Sequence, residues 1–71
     1  MSKLYSSTDI LKVLYRNGFV FVSQKGSHVK YRKTGDPTLT LIIPAERKQI
    51  PLGTFRSILK QSGLQSSDFE K

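Results

Sequence analysis

Polar and apolar residues alternate in the stretch His28-Val29-Lys30-Tyr31-Arg32-Lys33. Successive side chains of a β-strand point to opposite faces of a sheet, so the alternation predicts a half-buried strand. Val29 and Tyr31 are expected to face the core. The alternate residues are expected to face solvent, and they are His28, Lys30 and Arg32. The stretch therefore predicts a sheet whose outer face is basic.

Two further strands are predicted on either side of this one. Phe19-Val20-Phe21-Val22 precedes it and is rich in aromatic and β-branched residues, with a turn at Gln24-Lys25-Gly26-Ser27 between them. Thr38–Ile43 follows it after a turn at residues 34–37, and Pro44 is expected to end that third strand. Connections this short predict antiparallel pairing of all three strands.

Helices are predicted before and after the strands. The first runs from Ser6 to Arg16, where Ser6 and Asp9 suit a capping box and apolar residues recur at helical spacing. The second follows a charged loop at residues 45–49, starts at Pro51 or Thr54, and ends at Gly63. Phe69 is expected to anchor a last turn. The order α-β-β-β-α predicts an α+β fold, with both helices on the apolar face of a three-stranded antiparallel sheet.

Length and composition limit the number of domains and the kind of partner that the chain can have. The 71 residues suffice for a single domain, residues 1–71, with a core of about residues 6–69. Twelve Lys and Arg against five Asp and Glu give a net charge of +7, which favours a nucleic-acid partner. There is no cysteine, and no apolar run suits a membrane span or a signal peptide, so a cytoplasmic protein without membrane contact is expected.

His28 is the residue best placed to carry chemistry. It is the one histidine of the chain, and it follows Gly26-Ser27 at the mouth of a predicted turn. A histidine has a free pKa of about 6.5 and can act as general base or acid when RNA is cleaved by its own 2′-hydroxyl. Nearby cations would stabilise the phosphorane. A lone histidine is equally common as an ordinary packing or surface residue.

The candidate RNA contacts are the basic and turn residues near His28 and in the later loop: Lys25, Gly26, Ser27, Lys30, Arg32, Lys33, Arg47 and Lys48. The acidic residues are scattered along the chain, so metal-independent cleavage without a cofactor is predicted. Phe19, Phe21 and Tyr31 suit base stacking as well as core packing, and alternation favours the core for Tyr31.

Two blocks of this sequence are similar to a known family. Gln24-Lys25-Gly26-Ser27-His28, together with the run from Gly53 to Leu64, resembles the HicA family of mRNA-interferase toxins. The resemblance implies a double-stranded-RNA-binding-like fold, ribonuclease activity that depends on His28, and inhibition by a HicB-type antitoxin encoded beside it. Many members carry a second histidine two residues after the proline that ends the third strand, whereas this chain has Glu46 there.

Two alternatives to an endoribonuclease toxin remain open at this point. The same fold and charge suit a non-catalytic RNA-binding module, in which His28 is one contact among several. They also suit an interaction subunit that binds an antitoxin and has lost its RNA activity.

Overall fold

The computed structural model describes residues 4–70. The elements in chain order are α1 (Ser7–Arg16), β1 (Val20–Lys25), β2 (His28–Lys33), β3 (Leu39–Pro44), α2 (Leu52–Ser62) and a C-terminal 3-10 helix (Ser66–Phe69). The strands form one antiparallel sheet in the order β1-β2-β3. The predicted α-β-β-β-α order and the α+β fold are confirmed.

Local sequence signals set the start of α1 and the end of the second helix. The Ser6 hydroxyl accepts a hydrogen bond from the Asp9 amide at 3.1 Å, and the Asp9 carboxylate accepts one from the Ser6 amide at 3.2 Å. This capping box satisfies two amides that the first turn of α1 leaves without helical partners. The second helix ends at Gly63, whose φ of 73° is the left-handed conformation that glycine adopts at little cost.

The predicted bounds of two strands are corrected by the structure. β1 starts at Val20 instead of Phe19 and continues to Lys25, so the turn consists only of Gly26 and Ser27. Pairing continues to the turn because Gly26, with a φ of 61°, allows a tight reversal. Phe19 lies before the strand and is buried in the core. β3 is likewise displaced by one residue, to Leu39–Pro44.

The core lies between the sheet and the two helices. Strands β2 and β3 contribute alternate residues that the pattern predicted, Val29 and Tyr31 from β2 and Leu41 and Ile43 from β3. The helices contribute their apolar stripes, and the buried members include Ile10, Leu14, Phe55 and Ile58. The ring of Phe69 packs against those of Tyr5 and Phe55 at centroid distances of 6.0 Å and 5.2 Å, so its predicted anchoring role is confirmed.

The helices cover the apolar side of the sheet unevenly. α2 packs on β3, whereas all six residues of β1 are exposed. Phe21 points to the helix side but is 54% exposed, with its ring against the edge of Tyr31. A groove therefore separates α1 from β1. Within residues 4–70, neither helix has the length and apolar character needed to cross a membrane.

Candidate functional site

The side of the sheet opposite the helices is its open face, and its residues follow from the strand register. Residues paired across antiparallel strands point to the same side. Starting from the β1–β2 turn, the cross-strand rows of the open face are Lys25-His28-Pro44, Ser23-Lys30-Ile42 and Val20-Arg32-Thr40. The prediction that His28, Lys30 and Arg32 share the solvent side is therefore confirmed by the register.

A groove of about 540 Å³ opens over the first two rows, and we call it the His28 groove. Its lining combines cationic, hydroxyl and apolar side chains with the imidazole: Ser23, Lys25, His28, Lys30 and Ile42. Its volume lies within the roughly 300–1,000 Å³ of pockets that bind small ligands. Every residue of this lining comes from a strand, and all three strands contribute to the groove.

Hydrogen bonds to two of its carbonyl groups hold the turn that presents His28. The Gln24 side-chain amide donates a hydrogen bond to the Gly26 carbonyl at 3.0 Å. The Ala45 amide donates one to the Ser27 carbonyl at 2.7 Å, which ties the turn to the loop after β3. His28 is therefore the first residue of a strand whose preceding turn is held from two directions, while its own side chain is exposed to solvent.

The open face is electrostatically uniform. None of the three strands carries an acidic residue, whereas Lys25, Lys30 and Arg32 all point to this face. Alternate residues along one strand are roughly 6.6 Å apart, so the positive charges of β2 form a row rather than a single point. The Arg32 guanidinium donates a hydrogen bond from Nε to the Thr40 hydroxyl at 3.3 Å. A face of this kind attracts a polyanion.

The comparison with protein families agrees with this geometry. The family described as HicA toxin of bacterial toxin-antitoxin matches residues 7–64 of the 71-residue chain. The chain belongs to the HicA toxin family. Its role is accordingly that of the toxin in a toxin–antitoxin system, with an antitoxin as partner. A search of curated proteins finds no match to the chain.

Some of the predicted RNA contacts of this toxin lie away from the His28 groove. Lys33 is paired with Leu39 on the helix side of the sheet, and its aliphatic chain passes close to Gly18. Arg47 and Lys48 are exposed in the loop between β3 and α2. The structure thus brings Lys25 and Lys30 to His28, places Arg32 one row beyond, and puts Lys33 on the opposite side.

The loop after β3 is attached to α1 through one buried serine. The Ser7 hydroxyl donates a hydrogen bond to the Pro44 carbonyl at 2.7 Å and accepts one from the Arg47 amide at 3.0 Å. The Ser7 amide also donates to the Arg47 carbonyl at 2.9 Å. We call this set of bonds the Ser7 clasp. Between the two clasped residues, Glu46 has a φ of 55°, which is uncommon for a residue with a side chain.

Glu46 does not take part in the His28 groove of the toxin. It lines the other groove, the one between α1 and the sheet, and the two grooves share no lining residue. The position at which many family members carry a second histidine therefore belongs here to a different surface. No group of three or more His, Cys, Asp and Glu side chains suited to a metal ion occurs within residues 4–70.

Sequence reasoning missed Ser23 and Ile42, which both line the His28 groove. Ile42 could have been predicted, because Leu41 and Ile43 were expected to be buried and the residue between them must face the other side of the sheet. Ser23 could not have been predicted from the strand pattern. The register shifts between Phe21 and Ser23, and this bulge moves Ser23 and Lys25 to the open face.

The aromatic residues considered for base stacking lie off the open face. Phe19 and Tyr31 are 1% and 3% exposed, and Phe21 points to the helix side. Burial, and then the neighbouring Tyr15, raise the pKa of Tyr31 from 10.0 to about 12. Tyr31 is a core residue, as the alternation predicted.

Proposed function

We propose that the toxin is an endoribonuclease that cleaves mRNA through His28, without a metal ion or cofactor. The observation that carries this proposal is the His28 groove, in which the imidazole lies with Lys25 and Lys30 on a face without acidic strand residues. We further propose that the whole chain acts as one domain in the cytoplasm, where it meets its RNA substrate.

The reaction that suits these groups is transfer of the phosphodiester to the adjacent 2′-oxygen. The neutral His28 imidazole accepts the 2′-hydroxyl proton, the 2′-oxygen bonds to phosphorus, and the bond from phosphorus to the 5′-oxygen breaks. The products are a 2′,3′-cyclic phosphate and a 5′-hydroxyl, the latter after the leaving oxygen gains a proton. Lysine ammonium groups beside the imidazole stabilise the negative charge that accumulates on the phosphorane.

Lys25 is the cation that the fold pairs directly with His28 across the turn. We propose that it contacts the scissile phosphate, and that Lys30 contacts the same or the adjoining phosphate from the next row. A single histidine cannot both accept one proton and donate another in the same step, so the leaving oxygen takes its proton from a lysine or from water. We therefore expect slow turnover.

We propose that a HicB-type antitoxin inhibits the toxin by covering the open face. Carboxylates of the antitoxin would pair with Lys30 and Arg32, because these cations have no acidic partner on the strands. Occlusion of His28 would follow from the same contact, since all three residues lie along β2.

The test uses purified toxin, without antitoxin, and an RNA labelled at one end. Wild type should release fragments with a 2′,3′-cyclic phosphate, and His28→Ala should cleave at least about a hundredfold more slowly, the effect of losing a general base. Lys60→Ala is the matched control, since it removes an exposed cation on α2. His28 is exposed, so its replacement should leave the unfolding temperature unchanged. Equal cleavage by His28→Ala would refute the assignment.

A non-catalytic RNA-binding module is the second candidate, and one observation favours it. Within residues 4–70 no side chain hydrogen-bonds to the His28 imidazole, whereas catalytic histidines are commonly oriented by a neighbouring group. Under this alternative the toxin binds RNA without producing fragments during long incubation. His28→Ala would then reduce affinity only as much as loss of one contact does.

A further inference from the structure

We propose that Ile42 is the floor of a nucleotide subsite, on which an unpaired base of single-stranded RNA lies. The inference rests on the proposed function in that its ligand is RNA, and it adds which part of the RNA is bound and in what form. The subsite consists of the Ser23-Lys30-Ile42 row together with the adjoining Lys25 and His28.

The exposure of Ile42 is the first reason. Its neighbours on β3, Leu41 and Ile43, are each 1% exposed, whereas Ile42 is 50% exposed. It lies in the His28 groove directly across from Lys30. An aliphatic side chain gains nothing from contact with a phosphate, but burying it against a flat, weakly polar ring is favourable. RNA offers such a surface in the face of a base.

The arrangement of charges around Ile42 is the second reason, because it matches a nucleotide and not an apolar peptide. Lys25 and Lys30 lie on the two rows that the groove spans, and His28 lies beside them. A nucleotide whose phosphate is held by these lysines would have Ile42 of β3 as the apolar side chain within the groove. The Ser23 hydroxyl, in the same lining, is available to bond with a polar edge of the nucleotide.

Only an unpaired base can lay its face against Ile42 in this subsite. In an RNA duplex both faces of each base are covered by stacked neighbours, so a protein contacts phosphates and 2′-hydroxyls and reaches no base face. A duplex on the open face would leave Ile42 exposed. Single-stranded nucleic acids, by contrast, are held by a basic groove together with side chains on which bases lie. The structure therefore favours single-stranded RNA as the substrate class.

The experiment measures binding rather than cleavage. Its probes are a labelled single-stranded RNA of mixed sequence with 2′-O-methyl groups, which cannot be cleaved, the same strand annealed to its complement, and inorganic polyphosphate of equal charge. The variants are Ile42→Ser and the conservative Ile42→Leu. Val20→Ser is the matched control, because Val20 is 57% exposed on the same face but outside the groove. Thermal unfolding of each variant confirms that the fold is kept.

The expected result separates base contact from charge. Ile42→Ser should weaken binding of the single strand by about fivefold, the effect of losing a half-buried aliphatic contact, and Ile42→Leu should restore it. Binding of polyphosphate and of the duplex should not change, and Val20→Ser should bind all three probes as wild type does.

Three outcomes overturn the proposal. The first is unchanged binding of the single strand by Ile42→Ser. The second is an equal loss for polyphosphate or duplex, and the third is absence of single-strand binding by wild type. Failure of the cleavage proposal is a separate result, since a toxin that binds through Ile42 but does not cut RNA refutes the role of His28 alone.

Discussion

Replacement of Ser7 by alanine tests whether the Ser7 clasp holds the loop after β3 against α1. Ser7 is 4% exposed, and its hydroxyl bonds to Pro44 and Arg47, which are 37 and 40 residues away in sequence. Removing the hydroxyl leaves the Pro44 carbonyl and the Arg47 amide without that partner in a partly buried place.

The magnitude follows from the two bonds that are lost. Each contributes about 1 kcal/mol to the free energy of unfolding. Alanine restores about 0.5 kcal/mol through its higher helix propensity, because Ser7 is the first residue of α1. The net loss is about 1.5 kcal/mol, which for a domain of this size lowers the unfolding temperature by roughly 6–12 °C.

Thermal unfolding followed by circular dichroism measures this loss. Thr8→Ala is the matched control, since Thr8 is the next residue of the same helical turn, is exposed, and gains similar helix propensity on replacement. We expect Ser7→Ala to unfold well below both wild type and Thr8→Ala. If Ser7→Ala and Thr8→Ala unfold at the same temperature, the Ser7 clasp does not stabilise the fold.

Three further predictions concern stability. The pKa of Tyr31 is raised from 10.0 to about 12, so the stabilisation of the fold by its protonated form is fully present below pH 10. The free energy of unfolding should then fall by about 1.4 kcal/mol per pH unit up to the folded pKa, and an unchanged alkaline slope in Tyr31→Phe would contradict this. Because Glu46 has a φ of 55°, Glu46→Val should lose about 1–2 kcal/mol relative to Glu46→Gly in urea unfolding, and equal midpoints would argue against strain. Ile58→Val should cost about 1 kcal/mol at a site 1% exposed, whereas Ile42→Val at 50% exposure should cost almost nothing; similar costs would show that the burial is wrong.

Much of the fold was predictable because its signals are local. Alternation along β2 identifies its buried and exposed sides without knowledge of any other element, since successive strand residues have only two directions to take. The Ser6–Asp9 capping box and the Gly63 cap act within one helical turn of their own residues. The same reasoning placed His28, Lys30 and Arg32 together, and the register confirms that they share the open face.

Other features depend on residues far apart in the chain. The Ser7 clasp joins α1 to a loop that follows three strands, and nothing near Ser7 in sequence distinguishes it from Ser6 or Thr8 as the partner of that loop. The unequal covering of the sheet, with α2 over β3 and β1 exposed, depends on how the helices dock. The left-handed backbone at Glu46 likewise depends on the bonds that hold the loop on both sides of it.

Alternation along β2 is enough to give this toxin a basic open face with His28 on it, because alternation is a property of each strand alone. Which residues of β1 join that face depends instead on how β1 pairs with β2. Without the bulge between Phe21 and Ser23, strict alternation from Phe21 would turn Lys25 to the helix side. Pairing of β1 with β2 absorbs one extra residue at that point, so Ser23 and Lys25 face His28 and complete the groove.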